Sequence, residues 1–97
     1  MITFTNLYQN MARFTVGHYT PDFILAAPHT YVELYEFIGA AHIHQHGVKL
    51  SQERFGKTGL CFDGAILLMD RGLPEGIVRF ENGTKPDDPH LNGEWRV

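Results

Sequence analysis

The sequence predicts a small α+β domain: a small antiparallel sheet packed against one main helix at about residues 31–46. Three observations carry that expectation. Ninety-seven residues, 43% hydrophobic and 20% charged, suit one globular core and leave no room for a second. Short apolar runs bounded by Gly, Pro, Asn and Asp recur along the chain and read as strands. One longer segment spaces its apolar residues at helical intervals.

Taken in order, "ITFT" alternates Ile2 and Phe4 with threonines and reads as a short strand, as does "ARFTVGH" with Ala12, Phe14 and Val16. Thr20-Pro21 punctuates, and "DFILA" reads as a third strand ending before Pro28. "TYVE", Thr30 to Glu33, has the spacing of a capping box, which predicts a helix starting at Tyr31. Tyr31, Leu34, Tyr35, Phe37, Ile38 and Ala41 fall on one face of that helix, and Gly47 terminates it. Gly39 disfavours helix by ~1 kcal/mol and marks a bend or frayed turn. Beyond it, "SQER" reads as a helical turn, "AILLMD" as a buried strand and "GIVRFENG" as a strand turning at Asn82-Gly83. "TKPDDPHLNG" reads as a loop and "EWRV" as a closing strand.

Composition narrows the functional classes. The net charge of −3 divides as −1 over residues 1–50 and −2 over 51–97, without clustered Lys and Arg, so direct nucleic-acid binding is not expected. The start "MITFTNLYQNM" lacks the basic region and apolar run of a signal peptide, and "AILLM" is too short to span a bilayer, so no membrane association is expected. The single cysteine, Cys61, permits no internal disulfide and fits a reducing, cytoplasmic compartment.

Three of the six histidines lie in "AAHIHQHG". On a helix, His42 and His46 share a face at the spacing used to hold zinc, while His44 points away. A site would need further ligands from His18, His29, His90, Asp22 and Cys61, none at a recognisable spacing. The competing reading is a helix C-terminus, where partial positive charge is favoured by the dipole. The expectation is therefore no cofactor, with zinc at His42 and His46 as the alternative.

Three fragments have the look of two catalytic families. "SQERFGKT", Ser51 to Thr58, ends in a Gly-Lys-Thr that resembles the phosphate-binding loop of P-loop NTPases, and "AILLMD" is similar to their strand ending in a magnesium-linked aspartate. Ser51 stands where the loop needs glycine, and Glu53, Arg54 and Phe55 are poor fillers for amides that approach phosphate. Pro21-Asp22 resembles the start of the PD-(D/E)xK nuclease signature, but Tyr35 occupies the lysine position after Glu33. A glycine turn, a core strand and a turn aspartate account for the same residues. Ser51 and Cys61 are the only serine and cysteine, and Cys61 between Leu60 and Phe62 reads as a small buried hydrophobe.

With no catalytic constellation, the expectation is a non-enzymatic module that occludes or bridges a larger protein, of the kind encoded as accessory inhibitors or adaptors by phages and mobile elements. Val32 and Ile43 sit at about 100° and 120° from Tyr31 on the helical wheel, off the main stripe and beside Glu36. Left exposed, such a pair marks a partner surface; the equal alternative is that a neighbouring strand or loop covers it. Trp95, between Glu94 and Arg96, is a core lid or an interface anchor. Val32, Glu36, Ile43 and Trp95 are thus the candidate partner-binding residues.

Overall fold

The computed structural model describes residues 2–41 and 47–97, with the side chains of residues 40 and 41 excepted. In chain order it contains α1 (Phe4–Ala12), β1 (Phe23–Ala26), α2 (Pro28–Tyr35) running into a wider π-helical turn (Glu36–Ala41), then β2 (Val48–Arg54), β3 (Lys57–Phe62), β4 (Ala65–Met69), β5 (Ile77–Glu81) and β6 (Gly93–Arg96). The six strands form one sheet in the order β2-β3-β4-β1-β5-β6. The α+β class is as expected, but the sheet is mixed and carries two helices. β1 pairs parallel with β4, because the chain leaves β1 through α2 and the β2–β3 hairpin before returning beside it.

The first correction concerns the amino terminus, where "ITFT" does not form a strand. Thr3 caps α1: its hydroxyl accepts from the Asn6 amide, and Asn6 Oδ1 accepts from the Thr3 amide. Phe4, Leu7, Tyr8 and Met11 then follow helical spacing and reach the core together. The proposed strand "ARFTVGH" is the end of α1, a turn, and a two-residue bridge between Val16 and Tyr19.

The second correction moves the start of the main helix from Tyr31 to Pro28. Ala27 is the N-cap and offers no side-chain bond, and Thr30 is buried inside the first turn. The cap comes from far along the chain: both carboxylate oxygens of Glu75 accept from the His29 amide at 3.1 Å, and one accepts from the Thr30 amide at 3.4 Å. The Thr30 hydroxyl instead accepts from the Gly76 amide at 2.7 Å, tying α2 to the β4–β5 loop. Gly39 lies within the π-helical turn, where a bend or frayed turn was expected. Leu34 and Ile38 are buried, Tyr31 and Phe37 partly so, but Tyr35 points outward rather than joining that stripe. The portion of the expected helix over 42–46 lies outside the described residues.

The third correction replaces the helical turn at "SQER" with β2, and adds β3, where no element is expected from the sequence. Two tight two-residue turns set the register. Phe55 and Gly56, and again Asp63 and Gly64, have positive φ, and the residues flanking each turn pair directly: Arg54 with Lys57, Phe62 with Ala65.

One face of the sheet packs α1 and α2 over the main core, which includes Leu7, Ile24, Leu34, Ile38, Phe62, Leu67, Val78 and Phe80. The other face holds a smaller cluster of Phe23, Cys61 and Ile66, flanked by Leu25 and Leu68. The distal part of the β2–β3 hairpin bends over this second face. β3 pairs with β4 only at Cys61 and Phe62, and at Gly59 it comes so close to β4 that a Cβ would stand 2.9 Å from the Leu67 carbonyl oxygen. The Phe55 ring consequently meets Phe23 edge-on at 6.0 Å, and the Lys57 ammonium lies 5.4 Å from the centre of the same ring.

Candidate functional site

Glu75 and Thr30 fix the first turn of α2, and Leu34 and Ile38 hold its inner side on the sheet. Its outer side is left with His29, Val32, Glu33, Tyr35 and Glu36, all exposed. Val32 retains 48% of its surface and Tyr35 46%, so both present apolar surface on this outer side. The Tyr35 ring stacks on that of the half-buried Tyr31 at 6.1 Å, which limits its rotamers. Of the residues singled out from sequence, Val32 and Glu36 therefore share one exposed helix side, one turn apart. Tyr35 belongs with them and was missed, because helical-wheel placement put it with the buried stripe.

Trp95 lies on another element, the edge strand β6, where it is half-buried and packs against the helix-side core. Ile43, His42 and His46 fall outside the described residues.

The side chains considered as further metal ligands are dispersed. Among the described residues, no three His, Cys, Asp or Glu side chains group as a metal site would require. His18, His29 and His90 are exposed on three separate segments, and Cys61 is buried on β3.

Asp22 is the most constrained carboxylate. Only 4% exposed, it accepts from Arg54 Nη2 at 2.7 Å through one oxygen and from the Gly83 amide at 2.7 Å through the other. Arg54 Nη1 also donates to the Gly64 carbonyl at 2.7 Å. The guanidinium thus joins three segments, and Asp22 is an internal hairpin latch rather than the free carboxylate that metal-assisted hydrolysis needs.

The P-loop fragment likewise takes a different shape, since Gly56-Lys57-Thr58 spans a hairpin turn and the start of β3 rather than a loop opening a helix. Asp70, at the end of the supposed magnesium strand, accepts from the Gly72 amide in a local turn. Asn82 and Asn92 are buried and spend their side chains on loop backbone: Asn82 Oδ1 accepts from the Thr84 and Lys85 amides, and Asn92 Nδ2 donates to the Lys85 and Asp88 carbonyls. At the same end of the sheet as Asp22, Asp63 faces Tyr8, and burial, the Asp63 charge and their hydrogen bond hold the Tyr8 phenol above its ordinary pKa.

No family model, curated protein or solved structure matches the chain.

Proposed function

We propose that the chain is a non-enzymatic protein-binding module that occludes or bridges a larger protein through the outer side of α2. The observation that supports this reading is the contrast between its polar and apolar groups. The buried polar side chains Asp22, Thr30, Asn82 and Asn92 are all engaged in bonds that hold the fold. Val32 and Tyr35, by contrast, stand half-exposed side by side on a helix whose backbone is pinned at its start. A helix fixed at its first turn and presenting an aliphatic and an aromatic group beside carboxylates suits the anatomy of a protein interface, an apolar centre with a polar rim. Trp95, half-buried on β6, is a further candidate contact at the sheet edge. A cytoplasmic setting accords with the single buried free thiol of Cys61.

The test is affinity capture from a lysate of the source organism with the native chain and with the double variant Val32→Ser/Tyr35→Ser, each read by mass spectrometry. The reading expects a protein retained by the native chain and lost by a variant of unchanged melting temperature. Equal capture by both would remove this side of α2 as the interface.

A further inference from the structure

We propose that the cleft beneath the β2–β3 hairpin binds a small zwitterion, with the charge pattern of a free α-amino acid. The cleft is an open groove of about 390 Å³, within the size range of small-ligand sites, and its lining includes Lys49, Gln52, Arg54, Cys61 and Asp63. It lies on the sheet face opposite α2, so it is separate from the surface proposed for protein binding.

The chain builds it by an irregularity in β2. In a regular strand Lys49 would face away from Gln52 and Arg54, because alternate residues point to opposite faces. The register of β2 on β3 shifts between Lys49 and Gln52, where three steps on β2 oppose two on β3. Lys49 opposite Cys61, Gln52 opposite Gly59 and Arg54 opposite Lys57 then all fall on the second face, and the three donors line one cleft. Bulges of this kind commonly re-aim side chains next to functional sites.

The donors differ in readiness. Arg54 is already oriented by Asp22 and the Gly64 carbonyl, which leaves further N–H groups of its five free of those bonds. Lys49 and Gln52 are exposed and make no side-chain hydrogen bond or ion pair among the described residues, so their five N–H donors face solvent and are open to a ligand. Asp63 lines the same cleft from the β3–β4 turn while its carboxylate also accepts from the Tyr8 phenol, so it offers the cleft only the acceptor sites that Tyr8 leaves.

Charge selects the ligand. Lys49 and Arg54 are balanced by Asp63 and the latch carboxylate Asp22, so a dianion such as phosphate gains nothing in net attraction and meets Asp63. A ligand that is neutral overall but charge-separated matches both walls: its carboxylate accepts from Lys49, Gln52 and Arg54, and its ammonium donates to Asp63. No bond is made or broken in this step.

The test is a thermal-melt screen of the native chain against each of the twenty common amino acids at 10 mM, with acetate, methylammonium and inorganic phosphate as half-ligand controls. The proposal expects at least one amino acid to raise the melting temperature by about 3 °C or more. Neither acetate nor methylammonium should do so alone. Lys49→Met and Asp63→Asn, both at exposed positions, should each abolish the rise while the ligand-free melt stays within about 2 °C. No response to any amino acid, an equal response to acetate or phosphate, or a response that survives both substitutions would each overturn it.

Discussion

Replacing Asp22 by Ala should be among the most destabilising single changes in the chain, at ~3 kcal/mol. The carboxylate is nearly inaccessible and holds two groups at 2.7 Å, the Arg54 guanidinium and the Gly83 amide. Losing a hydrogen bond to a charged acceptor costs ~1.5–3 kcal/mol, which the Gly83 amide alone accounts for. Removing one partner of a fully buried pair costs ~3–5 kcal/mol. Arg54 lowers that figure, because its side chain is 36% exposed and retains the Gly64 carbonyl. A loss of ~3 kcal/mol corresponds to a fall in Tm of roughly 12–24 °C for a domain this small. Urea unfolding followed by the fluorescence of Trp95, the single tryptophan, measures it directly. Combining Asp22→Ala with Arg54→Ala should cost clearly less than the sum of the two, since the pair is what each single change breaks. A loss below ~1 kcal/mol, or strict additivity, would refute the latch.

Three further outcomes follow from the same contacts. Glu75→Ala should cost ~1 kcal/mol by uncapping α2, whereas Glu33→Ala should stay within ~0.5 kcal/mol, and chemical denaturation of both variants separates the distant cap from the local one. Gly59→Val should destabilise by ~1–3 kcal/mol because its side chain would meet the Leu67 carbonyl, and the β2–β3 hairpin amides should lose hydrogen-exchange protection first. The raised Tyr8 pKa means that the folded state keeps a proton the unfolded state releases near 10.0, so this stability is full below that pH and is lost as pH climbs from there through the higher folded-state pKa. Tyr8→Phe should flatten that alkaline decline in a series of thermal melts.

"FILA" and "AILLM" could be read from sequence as apolar runs, which suits central strands covered on both faces; "IVRFE", interrupted by Arg79 and Glu81, and the edge strand β6, expected at "EWRV", could be read from their bounding turns. β2 escaped notice because an edge strand with a bulge and exposed faces shows neither alternation nor a run. The Asp63-Gly64 pair between "LCF" and "AIL" was a legible hairpin signal, and reading it would have found β3. Likewise Phe4, Leu7, Tyr8 and Met11 carry helical spacing that the shorter "ITFT" alternation obscured. The cap on α2 was beyond local reading, since Thr30-x-x-Glu33 has the right spacing yet Glu75 does the capping from 45 residues away. The Asp22–Arg54 latch is equally non-local, and it turned a residue that resembled a catalytic carboxylate into a structural one. For the site, Val32 off the main helical stripe was readable from the wheel, but the outward turn of Tyr35 depends on how α2 sits on the sheet.

The most direct test of the α2 surface is a calorimetric Kd for the captured protein with the native chain and with Val32→Ser/Tyr35→Ser. If these two side chains form the centre of the interface, their truncation should weaken binding by ~30-fold or more, about 2 kcal/mol, with Tm unchanged within error. A folded double variant that binds with the native Kd would contradict the account.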